Sequence, residues 1–475
     1  MDIYFTALGS AKPANPVGAW VSTLAPGRQD GVSYHLNLVG KCGILPSGED
    51  AVGPLGALLI MRPYLANHGG IVLPWNLFRK AGELYDYGRR VGLIPGGSVK
   101  RTTWVGNYWD YEALARKAEN ENFLVDPYQG GVLVLQSLGA QAAQDELSAI
   151  VADRYSDKPR FKQLVAEVGE GIGIAVNNYP RLVVDARDPK AVERAVRDLV
   201  SRGYDKLFAQ GAVGAGGLYN LIVDIGSRSV VGAAGTHTFD GLSDLSRLFP
   251  VDVEGDGRYE LAPLLPLERH RSFSFGLTLM DQGVMVAGPR YQKLGDRLEY
   301  RGLYASLTNL PPDVEDKAED SSFAAVLKDA KSLAEGVARR LHAEGYRGPL
   351  SMDCFVYPDR SPSGYALCVA EANMRRDGTS FLTSLLAGVG DFTKGAIQGL
   401  DNVEVPESNM AALVERIKRH NVPLFSRSSQ QGVILLTPPI PAGENGQHLV
   451  CAGFVETDPA RLRGLVSAFE RAMMP

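Results

Sequence analysis

Three oxygen-bearing side chains lie in two neighbouring apolar segments. The first, LSMDCFVY from Leu350 to Tyr357, carries Asp353 as its one carboxylate. The second, ALCVAEANMR from Ala366 to Arg375, ends in Glu371-x-Asn373-x-Arg375. Side chains alternate along a strand, so Glu371, Asn373 and Arg375 project to one side. The turn-rich stretch from Pro358 to Gly364 allows the segments to pair as an antiparallel hairpin, which brings Asp353 to the same face. Two carboxylates, an amide carbonyl and a guanidinium then share one patch. Magnesium takes hard oxygen ligands and keeps water and substrate phosphates in its remaining positions. An adjacent arginine suits a transferring phosphoryl group or a developing oxyanion. The expected chemistry is that of ATP with magnesium: Asp353, Glu371 and Asn373 as metal ligands, Arg375 as the catalytic cation. Arg376, its neighbour, points the other way if the strand continues.

A second feature lies upstream. Gln210-Gly211-Ala212-Val213-Gly214-Ala215-Gly216-Gly217 is a glycine loop, and glycines let backbone N–H groups approach an anion closely. Gln210, Gly211, Gly214, Gly216 and Gly217 are the nucleotide-binding candidates there. The loop matches neither G-x-x-x-x-G-K-[ST] nor a G-x-G-x-x-G that opens a helix, because Leu218 to Asp224 reads as strand. Taken alone it is equally a hairpin turn; paired with the downstream hairpin it reads as a lid over a triphosphate. Lys158 at a helix start and Lys206 at a strand start are candidate phosphate-neutralising cations, against the plainer reading of solvated surface lysines.

The elements that must hold these residues follow from periodicity. Ser156 to Ala166 reads as a helix start, with Ser156 or Asp157 as cap and Pro159 in the first turn. Arg181 to Asp185 is a strand, and Pro189 to Arg202 has apolar residues at helical spacing. Lys206 to Gln210 and Leu221 to Asp224 are strands on either side of the glycine loop. Phe273 to Met280 and Val284 to Val286 form a hairpin turned by Asp281-Gln282-Gly283. Ser322 to Glu344 is a helix with one apolar stripe, and Phe381 to Gly390 reads as a packed helix. Met410 to His420 and Pro459 to Met473 read as helices, Gly432 to Thr437 and Leu449 to Val455 as strands. The fold class expected is α/β with α+β lobes, divided as 1–150, an α/β domain; 151–255, a lobe with the glycine loop; 256–403, a lobe with the magnesium hairpin; and 404–475, a small α+β cap.

A chain of 475 residues suggests several domains or one multi-lobed enzyme. Hydrophobic content of 45% and charged content of 22% are ordinary for a soluble globular protein. A net charge of −5 with both signs interspersed gives no polycationic footprint for nucleic acid. No run approaches the roughly 20 apolar residues of a membrane span, and MDIYFTALGSAKP lacks the pattern of a signal peptide, so a cytoplasmic location is expected. Cys42, Cys354, Cys368 and Cys451 show no CxxC spacing and read as buried reduced thiols; Cys354 and Cys368 lie on the two strands of the expected hairpin.

From Ser156 onward the chain resembles the ATP-grasp superfamily, and within it the peptide ligases of natural-product pathways typified by pheganomycin biosynthesis. The resemblance rests on SDKPRFKQLVAE, QGAVGAGGLYN, YQKLGDRLEYRGLYAS, GPLSMDCFVYPD with EANMRRDGT, and QQGVILLTPPI, in that order. It implies an ATP-grasp fold with an N-terminal pre-ATP-grasp domain, two lobes enclosing ATP and magnesium, and a small C-terminal domain. It further implies Lys158 on phosphate, Arg375 on the transferred phosphoryl, and Glu268 where the hinge between the lobes meets adenine. Two departures stand out. The family's central lysine falls near Ala209 or Gln210, with Lys206 a replacement from a shifted register. After Arg375 the chain reads RDGTSF where relatives tend to carry a Gly-Gly-Thr-Thr-His-Pro-like run.

The activity implied is a carboxylate–amine ligase that works through an acyl phosphate on small-molecule acid and amine substrates, in peptide or specialised-metabolite biosynthesis; a homodimer is compatible with it. A phosphotransferase on the same scaffold and a non-catalytic nucleotide-binding protein are the alternatives. A NAD-dependent dehydrogenase fits poorly, since the glycine loop lies between strands.

Overall fold

A computed structural model describes residues 2–7, 32–35, 70–73, 75–93, 101–104, 111–127, 131–142, 145–213, 220–232, 235–251, 256–266, 271–294, 300–306, 321–359, 364–375, 396–426, 428–442 and 447–474. The N-terminal part contains β1 (Asp2–Ala7), β2 (Val32–His35), β3 (Gly70–Leu73), α1 (Trp75–Arg90), β4 (Arg101–Trp104), α2 (Tyr111–Asn120) and β5 (Leu124–Pro127), followed by α3 (Val132–Leu138), α4 (Glu146–Ser156) and α5 (Lys158–Ile172). Strands β2 to β5 form a parallel sheet in the order β4-β3-β2-β5, the arrangement that helical crossovers impose.

The middle of the chain supplies β6 (Leu182–Asp185), α6 (Pro189–Ser201), β7 (Lys206–Gly211), β8 (Asn220–Asp224), β9 (Ser229–Gly232), β10 (Gly235–Thr238), α7 (Leu242–Leu245) and β11 (Arg258–Pro263). Its six strands make an antiparallel sheet ordered β10-β9-β8-β7-β11-β6. One face is covered by α6, whose buried Val192, Ala195, Val196 and Leu199 share a core with Leu207, Ala209, Val223 and Leu261. Asp188 caps α6 by accepting from the amides of Lys190 and Ala191, and Pro189 opens it at the position where no amide is needed.

The remaining elements are β12 (Ser272–Met280), β13 (Gly283–Leu294), β14 (Tyr300–Ser306), α8 (Ser321–Ala343), β15 (Gly348–Pro358), β16 (Tyr365–Asn373), β17 (Ala396–Val405), α9 (Met410–Arg419), β18 (Gly432–Leu435), β19 (Ile440–Ala442), β20 (Gln447–Glu456) and α10 (Pro459–Met473). They build a ten-stranded antiparallel sheet with the path β16-β15-β12-β13-β14-β17-β20-β18, β19 pairing with β20 and β1 with β13. The C-terminal segment, set apart as a cap by its sequence, is hydrogen-bonded into this sheet along β17 and β20. The first strand leaves its neighbours in sequence and joins the same sheet. Both pairings are nonlocal, so no local pattern announces them.

Helix α8 lies on the core face of the large sheet, burying Phe323, Val326, Ala330, Leu333, Ala334, Val337 and Leu341 against Phe273, Phe275, Leu277 and Met352. Helix α5 packs against α8 and β16. Its start is over-determined: Asp157 accepts from the Arg160 amide as N-cap, Pro159 sits in the first turn, and the Lys158 amide donates to the Ala212 carbonyl at 2.9 Å. It ends at Gly173, whose φ of 74° a side chain would resist. Among the described residues no helix is long and apolar enough to cross a membrane. The stretch expected as a helix at Phe381 to Gly390 lies outside the described residues.

Candidate functional site

Strands β15 and β16 are the expected hairpin, and their register sets the site. Asp353 lies directly opposite Glu371, and Ser351 opposite Asn373. Residues directly opposite in an antiparallel pair share a face, with Cα atoms about 4.5–5.5 Å apart. Between Asp353 and Cys354 the register slips, leaving Ala370 as a bulged extra residue beside Glu371. Such bulges re-aim side chains next to sites. The neighbouring strands extend the same face: Ser274 is opposite Asp353, and Ser272 precedes it by two. Cys354 falls on the other face and joins the apolar core, whereas Cys368 is placed at 3.4 Å from the Tyr179 hydroxyl. The hairpin thus keeps its two thiols on different surroundings. Both are buried, as is Cys451.

A hydrogen-bond chain crosses the sheet on the polar face. The Ser272 hydroxyl donates to Gln292 Oε1 at 2.8 Å, and Gln292 Nε2 donates to Asp353 Oδ1 at 3.0 Å. Asn373 Nδ2 donates to Asp353 Oδ2 at 3.3 Å and to the Ser351 hydroxyl at 3.4 Å. Its amide nitrogen is thereby turned to the sheet and its carbonyl oxygen away from it.

Opposite this floor stand α5 and β7. Lys158 and Lys162 are four residues apart on α5 and so share one helical face. Lys158 Nζ is 3.0 Å from Glu371 Oε2. Lys162 Nζ donates to Glu260 Oε1 at 2.5 Å and to Gln210 Oε1 at 2.9 Å, and Gln210 Nε2 donates to Glu371 Oε2 at 3.4 Å. Arg181 Nη1 reaches the second oxygen of Glu260 at 3.3 Å. The Lys162 and Glu260 side chains are only 5% and 3% exposed. Residues from both sheets therefore meet at one carboxylate, Glu371.

Of the sequence candidates, the structure brings together Lys158, Gln210, Glu371, Asp353 and Asn373. Gly211 closes β7 one residue beyond Gln210, and the following Ala212 carbonyl anchors the start of α5. Arg375 lies two residues beyond Asn373. Gly214, Gly216, Gly217 and Glu268 lie outside the described residues. Lys206 is not brought to the cleft. It sits at the opposite end of β7 from Gln210, roughly 13 Å away at about 3.3 Å per residue, exposed and paired with Asp224 at 3.2 Å. The expected register shift does not occur, because Gln210 and Lys206 lie on an unbroken ladder with β8. The buried cation beside Gln210 is Lys162, which sequence reasoning missed. Its one available signal was the spacing of four from Lys158. Gln292, Ser272 and Glu260 were also missed: each is a polar residue in an apolar strand whose partner comes from another strand or helix.

The surroundings at the far end of β16 are strongly desolvated. Burial, then the neighbouring thiol, pushes the Tyr179 hydroxyl well above its ordinary value. Burial raises Cys368 as well, partly countered by Lys162. Tyr357, packed edge-on against Tyr179, is pushed up to about 12, chiefly by burial. At neutral pH these groups stay uncharged and form a polarisable but neutral wall.

Asp353, Glu371 and Asn373 suit magnesium in donor type: two carboxylates and an amide, all hard oxygens, with room in its shell for phosphate and water. Among the described residues no group of three or more His, Cys, Asp or Glu could hold a metal by itself.

No family model and no curated protein matches the chain. As a fold it is similar to a biotin carboxylase from Campylobacter jejuni in complex with β-gamma-ATP, with a TM-score of 0.55 at 11% identity, covering 94% of this chain and 92% of that one. It is similar also to the biotin carboxylase domain of Hydrogenobacter thermophilus 2-oxoglutarate carboxylase with MgADP and bicarbonate (TM-score 0.53, 13% identity, 92% and 89% covered). A third is N5-carboxyaminoimidazole synthetase from Staphylococcus aureus with ADP (TM-score 0.53, 11% identity, 92% and 96% covered). The fold is thus the ATP-grasp fold along nearly its whole length.

Proposed function

We propose that this protein is an ATP-dependent ligase that joins a carboxylate to an amine through an acyl phosphate. One observation carries the reading: Lys158 from α5 and Gln210 from β7 converge on Glu371 of the Asp353–Glu371–Asn373 patch. Phosphate-binding cations and magnesium-binding oxygens then line one cleft between two sheets. Solved proteins of the same fold were crystallised with ATP-type nucleotides, which supports placing ATP in this cleft.

In the proposed reaction a substrate carboxylate oxygen attacks the γ-phosphorus and ADP leaves with the bridging oxygen. The amine then attacks the acyl carbon, phosphate departs, and the amine proton passes to solvent. Phosphorylation is needed because the leaving group of a free carboxylate would be oxide. The protein's work is positioning and charge stabilisation. Magnesium held by Asp353, Glu371 and Asn373 would supply charge neutralisation at the phosphates. Lys158 exchanges its Glu371 partner for a phosphate oxygen. Arg375 meets the transferred phosphoryl, and the backbone of the Gly211, Gly214, Gly216 and Gly217 loop covers the triphosphate. Glu268 is assigned to the adenine end.

The acid is either an organic carboxylate, as in peptide ligation, or bicarbonate. The second reading is favoured by the likeness to carboxylases over about nine-tenths of both chains. Incubation with ATP, magnesium and a panel of amino acids and short peptides, beside a parallel series with labelled bicarbonate, separates the two. Coupled product with ADP release supports ligation, and label in an acid-labile carbamate supports carboxylation. Persistence of a phosphorylated product without an amide would point instead to a phosphotransferase, and failure to bind ATP would sink the reading.

A further inference from the structure

Two glutamines, one from each sheet, aim their amide nitrogens at the two carboxylates of the patch. Gln292 Nε2 faces Asp353 Oδ1 at 3.0 Å, and Gln210 Nε2 faces Glu371 Oε2 at a longer 3.4 Å. An amide side chain is ambiguous by itself, since a half-turn exchanges donor for acceptor and would press an oxygen against the carboxylate. For Gln210 the Lys162 ammonium, a donor only, removes the ambiguity by occupying the amide oxygen at 2.9 Å; for Gln292 the acceptor-only Asp353 carboxylate takes the Nε2 end, and the Ser272 hydroxyl donates to the amide oxygen at 2.8 Å. Ser272 is fully buried, Gln210 and Lys162 nearly so. Lys162 is in turn fixed by Glu260, itself held by Arg181.

We infer that Gln292 and Gln210 are positioning residues for the metal-binding carboxylates, each pinned by its own donor. This rests on the reading of Asp353 and Glu371 as magnesium ligands. The choice of amide over cation has a physical reason. A lysine or arginine at the same place would orient the carboxylate but also cancel its charge, as Lys158 does for Glu371. An amide orients a carboxylate through a hydrogen bond without adding a counter-charge of its own. Groups that orient metal ligands in this way typically contribute about tenfold to hundredfold in metal affinity.

The test uses the whole chain and Mn²⁺ as a spectroscopic stand-in for magnesium. Free Mn²⁺ is followed by electron paramagnetic resonance in the presence of a non-hydrolysable ATP analogue, and nucleotide binding without metal is measured in parallel. Gln292→Met keeps the side-chain volume and removes the donor. It should weaken Mn²⁺ binding about tenfold or more, leaving metal-free nucleotide binding near wild type. Gln210→Met should weaken it less, in keeping with its longer contact. Ser272→Ala, which only frees the Gln292 amide to turn, should fall between wild type and Gln292→Met. If wild type binds Mn²⁺ with nucleotide and all three variants bind it within twofold, the positioning role is wrong while the magnesium site stands. If wild type and Asp353→Asn both fail to bind Mn²⁺ with nucleotide, the site reading fails and takes this inference with it. Equal losses of metal-bound and metal-free nucleotide binding would assign the glutamines to general packing and overturn the proposal.

Discussion

Replacing Lys162 by methionine isolates the most buried ion pair in the cleft. Lys162 and Glu260 are 5% and 3% exposed and 2.5 Å apart. With the ammonium gone, the cation left beside Glu260 among the described residues is Arg181, at 3.3 Å and itself 21% exposed. Breaking a buried pair by removing one partner costs about 3–5 kcal/mol, because a charge is left without compensation. The surviving Arg181 contact puts Lys162→Met near the lower end, about 3 kcal/mol. At about 2–4 °C per kcal/mol for a cooperative unit of about 150–250 residues, the melting temperature should fall by about 6–12 °C. The second variant, Lys162→Met with Glu260→Gln, removes both charges at once. Replacing a whole buried pair is often close to neutral, so the double variant should recover about 2 kcal/mol relative to Lys162→Met. Urea unfolding followed by circular dichroism, with a thermal scan beside it, reads both numbers. A loss below about 1 kcal/mol in the single variant, or additive losses in the double, would refute the view that Glu260 depends on Lys162.

Other outcomes are equally definite. Glu371→Gln and Asn373→Ala should each lower ATP turnover by two orders of magnitude or more, read as ADP release, and full activity in both would remove the metal site. Arg375→Ala should lower kcat by about 10²–10³-fold, with nucleotide affinity close to wild type by calorimetry. Asp157→Ala removes the α5 cap and one of two carboxylate partners of Arg258, the one at 2.6 Å, for an expected loss of about 1–2 kcal/mol in urea unfolding. Burial raises Cys354 and Cys368 above the ordinary thiol value of 9.0. The folded state therefore retains protons that the unfolded chain gives up, and stability should fall as pH climbs from that value toward the folded ones. At neutral pH the three described cysteines should stay unreactive to a thiol reagent until denaturant is added; rapid native labelling of Cys368 would show the wall beside Tyr179 to be open.

The hairpin was legible because its information is local. Alternation put Glu371 and Asn373 on one face, and the Pro358–Gly364 spacer made pairing with Asp353 the simplest closure. The helices were legible for the same reason: the stripe from Phe323 to Leu341 is the buried stripe of α8. Lys158 was legible as a cation at a helix start, but nothing local gave it Glu371 as a partner. The misassignment of Lys206 arose from searching one strand for a cation that a helix supplies. Lys162 looks like any surface lysine until β11 brings Glu260 beneath it. Gln292 sits in a strand whose role depends on Asp353 of β15, a strand not next to it in sequence. The C-terminal segment looked independent because its strands pair with β17, which its own periodicity cannot reveal.

The pairing of β1 with β13 matters for how the molecule comes into being. The register matches Asp2 with Gly288 and Ala7 with Gly283, so β1 is made well before the strand it pairs with. At about 5–20 residues per second, ribosomal synthesis leaves it waiting for tens of seconds. During that interval a strand with open edges must avoid other chains, and β13 emerges with the flank that β1 covers in the folded sheet still open. The β1 segment thus acts as a built-in seal on the sheet that carries the Asp353–Glu371–Asn373 patch. A bulky substitution within Asp2–Ala7 would press on that seal.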